Sequence, residues 1–171
     1  ASSGNSAKYI SSQPVLKAWG VAGAGYNNIS AVSMVGLTAA TANERAWPVL
    51  MTTSTTQDQS DAPAASFCGI RYSTAIPDAT WKCCSGDGAA ASCTAMAARS
   101  ATSAYPYRFE ARYKETACIC TMWDGVTGAL YSTASNTSNL PATNALFYIQ
   151  SSNSTLTTSS ITVRTAYLGI E

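Results

Sequence analysis

Ten residues near the middle of the chain alternate without a break. From Tyr105 to Lys114, the segment YPYRFEARYK places Tyr105, Tyr107, Phe109, Ala111 and Tyr113 on one side and Arg108, Glu110, Arg112 and Lys114 on the other. A period of two is that of a β-strand with one face in a core and the other in water. Further segments of the same kind recur from residue 66 onward: SFCGIRYS, WKCC, TACICTMW, ALYSTAS, NALFYIQS and SSITVRTAYLGI. Between them stand turn signals: TAIPDAT, a Gly-Asp-Gly loop, Asp124-Gly125 and the polar SNSTLTT. An Asp-Gly pair flanked by strands predicts a hairpin. Turns recurring about every ten residues fit a two-sheet sandwich or jelly roll, and no segment has a convincing helical period. The chain is expected to be all-β, an antiparallel two-sheet jelly-roll sandwich.

The first 30 residues are weakly patterned and are expected to form an N-terminal arm or a first strand from QPVLKAWGV; residues 31–171 are expected to form one sandwich domain, clearest from 66 to 171. SAVSMVGLTAAT (30–41) has mixed periodicity, and TTSTTQDQSDAPAAS (52–66) reads as an exposed polar loop. The opening ASSGNSAKYISS has no basic stretch before an apolar block, so it does not read as a signal peptide. No apolar run approaches the ~18 residues of a membrane-spanning helix, and no membrane partner is expected.

Charge narrows the function classes. Ten basic and nine acidic residues are scattered singly, and there is no histidine. Arg108, Arg112 and Lys114 lie close together, but on the solvent side of a strand, so nucleic acid is not expected as a partner. Glycoside hydrolysis needs two carboxylates flanking the bond. Glu110 is explained by an ion pair with its neighbouring arginines and Asp124 by its turn. No catalytic residue, metal or cofactor is expected, and the chain is expected not to be an enzyme. A surface finished mainly in Ser, Thr, Asn and Gln suits extensive contact with neighbours, because little charge has to be desolvated.

The six cysteines are Cys68, Cys83, Cys84, Cys93, Cys118 and Cys120. An even count favours disulfides, which form outside reducing compartments. Cys83 and Cys84 are adjacent and point to opposite faces of a strand, so they are expected to have different partners. Cys118 and Cys120 share a face with Cα atoms ~6.5–7 Å apart, at or beyond the usual disulfide limit, so each is expected to bond elsewhere. Cys93 comes within reach of Cys83 or Cys84 across the Gly-Asp-Gly loop. The other four are left to pair inside the fold or to cross-link neighbouring chains. Free buried cysteines are the competing reading. A zinc site lacks the closely spaced cysteine pairs that usually clasp the metal.

The order GIRYST, then TWKC, then YRFEARYKE, then a Trp-Asp-Gly hairpin, then ITVRTAYLGIE resembles the concanavalin-like (lectin/glucanase-type) jelly-roll domains of tailed-phage structural proteins, such as head decorations, head fibres and tail-fibre segments. It covers roughly residues 66–171, and the six cysteines depart from that pattern. The resemblance implies a non-enzymatic virion structural protein that decorates or cements a capsid or forms part of a fibre or collar. Its location would be the virion, and its partners other capsid or fibre subunits in a homo-oligomer. The alternative it implies is a carbohydrate- or receptor-binding module on the virion surface, meeting a host glycan through an aromatic platform. Trp47, Trp81, Trp123 and Tyr131 are the candidates, with core or sheet-face positions for Trp81 and Trp123 as the competing reading. Asn-x-Ser/Thr sequons stand at Asn28, Asn136 and Asn153.

Overall fold

The computed structural model describes residues 29–37, 45–46, 49–51, 66–73, 76, 78–98, 105–114, 116–141, 148–150 and 161–170. All of its regular elements are strands: β1 (Ile29–Leu37), β2 (Arg45–Ala46), β3 (Val49–Met51), β4 (Ser66–Ser73), β5 (Thr80–Asp87), β6 (Ala91–Ala98), β7 (Tyr105–Lys114), β8 (Ala117–Asp124), β9 (Leu130–Asn136), β10 (Tyr148–Gln150) and β11 (Ile161–Ile170). They form two antiparallel sheets. The five-stranded sheet runs β11-β1-β7-β8-β9; the six-stranded sheet runs β10-β3-β4-β5-β6, with β2 also pairing with β4. The molecule is an all-β sandwich.

Strands β4 and β7 coincide with the segments SFCGIRYS and YPYRFEARYK. On β7 the alternation becomes a sidedness: Tyr107, Phe109, Ala111 and Tyr113 are buried, while Arg108 is exposed and Glu110, Arg112 and Lys114 are half-buried. Tyr105 is in the strand, but its side chain lies outside the described residues. The mixed segment 30–41 supplies β1, which lies between β7 and β11. Residues 52–65, and QPVLKAWGV, lie outside the described residues, and Ser66 belongs to β4.

Two turns go beyond their sequence reading. Gly86 belongs to β5, opposite Phe67 on β4 and Ala91 on β6. It must be glycine, because a Cβ there would collide with the Phe67 ring. The reversal follows at Asp87, whose Oδ1 accepts the N–H groups of Ala89 and Ala90, both at 2.8 Å, with Gly88 at φ 95°. At Asp124-Gly125 the expected hairpin joins β8 to β9, through a loop that runs on to Ala129. The Asp124 N–H donates to the Ala129 carbonyl at 2.9 Å, and the Gly128 N–H to the Asp124 carbonyl at 2.8 Å. The left-handed residue is Gly128 (φ 73°), while Asp124 Oδ1 accepts the N–H groups of Val126 and Thr127. A register shift between Met122 and Trp123 feeds the extra length into the β8–β9 connection.

Trp81, from β5, is at the centre of the core. It is fully buried, with ring centroids of Phe109, Tyr72 and Tyr107 at 4.8, 5.2 and 5.6 Å. Burying each such side chain contributes about 1.5–3 kcal/mol. On the other face of β4, Arg71 is paired with Asp78 at 3.1 Å, and Asp78 also accepts the Ser73 N–H at 3.0 Å, which ties Asp78 to the end of β4. The two sheets meet along one side through β6 and β9. There the Ala97 N–H donates to Ser132 Oγ, the Tyr131 hydroxyl to the Ala98 carbonyl, and Asn136 Nδ2 to the Ser92 carbonyl.

Candidate functional site

All six cysteines are paired within the chain. Cys68 is bonded to Cys118, Cys83 to Cys120, and Cys84 to Cys93. The first two bridges cross between the sheets, from β4 and β5 to β8; the third lies within one sheet, on directly opposed residues of β5 and β6. Cys83 and Cys84 thus have separate partners, as do Cys118 and Cys120. The geometry agrees with the alternation of a strand: Cys83 points inward, and Cys84 outward to the exposed Cys93. The inter-chain cross-links and the free buried thiols considered from the sequence are both replaced by intrachain bonds.

The aromatic candidates separate. Trp81 is core, with no surface to offer a ligand, and this corrects its place in the expected platform. Tyr131 is 38% exposed at the sheet edge, with its ring 5.5 Å from the buried Tyr107 and its hydroxyl on Ala98. Its ring therefore lies on the core side of the sheet, not on the outer face. Trp47 lies outside the described residues. Asn136 is 5% exposed and its amide nitrogen is already engaged, so its sequon offers no glycan acceptor; Asn28 and Asn153 lie outside the described residues.

Trp123 has a different setting. It is half-buried on the outer face of the five-stranded sheet, between Arg108 on β7 and Leu130 on β9. The Arg108 guanidinium lies over its ring, 4.5 Å from the centroid. At an exposed site such a contact is worth about 0.5–1 kcal/mol. The next row carries Glu110, Thr121 and Thr133, and the next Arg112, Ile119 and Ser135. Arg112 donates through Nε and Nη2 to one Glu110 oxygen, at 3.2 and 2.9 Å. That leaves the second carboxylate oxygen of Glu110 outside this pair. The result is a flat face that joins an indole, two guanidinium groups, a carboxylate and several hydroxyls. The sequence alone reads Arg108 only as a solvent-facing charge and does not mark Leu130, because only the strand register reveals that they flank Trp123.

No family model matches the chain, and no curated protein is similar to it in sequence. Among solved structures it is similar to scytalido-glutamic peptidase bound to a transition state analog inhibitor, at 13% identity and a TM-score of 0.39, over 84% of this chain and 68% of that one. It is also similar to SCP-B, a member of the eqolisin family of peptidases, in complex with the tripeptide Ala-Ile-His, at 12% identity and a TM-score of 0.38, over 84% and 67%. A third is Trypanosoma rangeli sialidase, at 14% identity and a TM-score of 0.39, over 83% of this chain and a fifth (20%) of the sialidase. These are enzymes, not phage structural proteins. They overturn the expectation of a non-enzymatic virion protein. A likeness this distant concerns the strand arrangement alone and transfers no residue's role.

Proposed function

We propose that this chain is a disulfide-locked β-sandwich of an oxidising compartment or the cell exterior, and that it meets a glycan on the outer face of its five-stranded sheet. The observation that carries the reading is Trp123 with Arg108 laid across it, bordered by the Glu110–Arg112 pair and the Thr121 and Thr133 hydroxyls. A sugar ring has an apolar C–H face and a rim of hydroxyls. The indole and the Leu130 side chain, 63% exposed, suit the first; the guanidinium, carboxylate and hydroxyl groups suit the second. The sheet holds these groups on rigid strands, so little side-chain freedom is lost when a ligand docks. Three disulfides in one chain support the compartment.

The test is binding to a glycan array, followed by titration calorimetry on any sugar retained. Trp123→Ala and Arg108→Ala should each weaken binding at least tenfold and leave the far-ultraviolet circular dichroism unchanged. Lys82→Ala, on the other sheet, should bind as the parent chain does. Absence of any glycan binding, or equal binding by Trp123→Ala, would sink the proposal.

A further inference from the structure

The charges on the outer face of the five-stranded sheet are not balanced. Strand β7 presents Arg108, Glu110, Arg112 and Lys114 there, and the facing positions of β8 and β9 add aromatic, aliphatic and hydroxyl side chains but no charge. Among the described side chains this face carries three cations against one carboxylate, although the whole chain has ten basic residues and nine acidic. Glu110 stands two positions from both arginines and has a choice between them. It takes Arg112, whose Nε and Nη2 both donate to one of its oxygens. Arg108 is left to the Trp123 ring, and its N–H groups meet no acceptor among the described residues. Lys114 likewise has no carboxylate partner there. Asp124 follows Trp123 but does not serve Arg108: its Oδ1 is held by the N–H groups of Val126 and Thr127.

We infer that the ligand of this face is an acidic glycan, one whose sugar carries a carboxylate, and that Arg108 selects that carboxylate. The inference rests on the reading of this face as a glycan site and adds the class of sugar. A guanidinium holds its N–H donors in one plane, as a fork that fits the two oxygens of a carboxylate. Adjacent strands lie ~4.8 Å apart. A sugar ring resting on Leu130 and the exposed part of the indole therefore needs only a carboxyl group one bond from the ring to reach Arg108 on the next strand. Arg112 has the complementary task. By holding Glu110 it neutralises the one carboxylate on this face that would repel the ligand, and it keeps Glu110 from pairing with Arg108.

The experiment titrates the full chain calorimetrically with oligogalacturonate and with sialyl-lactose, each beside its own methyl ester. Esterification keeps the rings and their hydroxyls and removes the charge. One of the two acids should bind at least tenfold more tightly than its ester, and which one does so tells a uronic acid from a sialic acid. The preference should shrink as sodium chloride is raised. Arg108→Gln should bring the acid down to the affinity of the ester, while Arg108→Lys, with the charge but not the fork, should keep only part of the preference. Arg112→Gln should also reduce it, because Glu110 is then released to Arg108, and Glu110→Gln/Arg112→Gln should restore it. Equal affinity of acid and ester for both sugars, with neutral glycans still bound through Trp123, would overturn this inference and leave the glycan site standing. Binding of no glycan, acidic or neutral, would overturn both. Binding of a single-stranded oligonucleotide with the same dependence on Arg108 would overturn the inference in favour of a general polyanion surface.

Discussion

The two bridges between the sheets share a circuit, and that makes their contributions to stability interdependent. Alone, Cys68–Cys118 closes a loop with a sequence separation of 50 and Cys83–Cys120 one of 37. By denatured-chain entropy each such loop is worth ~4 kcal/mol. With the second bridge in place, the first closes a much smaller circuit. It runs from Cys68 to Cys83, across the other bridge, and from Cys120 back to Cys118, about 17 residues worth ~3 kcal/mol. The same circuit is what Cys83–Cys120 closes when Cys68–Cys118 is intact. Removing either bridge by paired Cys→Ala substitution should therefore cost ~3 kcal/mol in chain entropy, and removing both ~7 kcal/mol, about 1 kcal/mol more than the two single losses together. Guanidinium denaturation of the Cys68→Ala/Cys118→Ala, Cys83→Ala/Cys120→Ala and quadruple variants, without reductant, measures all three values. A combined loss equal to or below the sum, or a single removal that costs nothing, would refute the reasoning.

Gly86→Ala should destabilise by about 1–3 kcal/mol through overpacking against Phe67, and Phe67→Leu in the same chain should recover part of it; denaturation midpoints check both. Trp81→Ala should cost about 3–5 kcal/mol, against less than 1 kcal/mol for Trp123→Ala, because one empties the core and the other only uncovers the outer face. The N–H groups of Ala90 and Ala89 hold the exposed Asp87 carboxyl below the ordinary aspartate range. A lowered folded pKa means its contribution to stability is present above the unfolded value and lost as pH falls through the folded one. The amide resonances of Ala89 and Ala90 should then titrate with a midpoint below that of ordinary aspartate, and a midpoint at or above it would contradict the turn geometry.

How far the sequence could be read depended on which force set each feature. Alternation fixes the faces of a strand, so β7 and β4 were legible to the residue. It also settled that Cys83 and Cys84 must part company. It could not say which inward cysteine meets which, because that depends on how β4, β5 and β8 are stacked across the core. Turn chemistry located the hairpin at Asp124-Gly125 but not its length, because the register shift at Met122/Trp123 extends the loop and puts the left-handed position at Gly128. At Gly86 the decisive contact is Phe67, on another strand, which no local signal reveals. The outer face was half-legible: Trp123 could be named, whereas its partner Arg108 depends on the β7–β8 pairing. Trp81 shows the converse, since an aromatic on a strand reads the same whether it faces ligand or core.

The hydrogen bonds that join β6 to β9 have a consequence for the protein in crowded solution. Both strands close a sheet at this side, and a bare sheet margin is a template on which another chain can add itself, strand by strand. Here the Ala97 N–H and the Ser92 and Ala98 carbonyls are occupied by side chains from the facing sheet. A chain with so few charges has little electrostatic repulsion to keep its copies apart. These three contacts give this margin a chemical guard against runaway association that net charge does not supply.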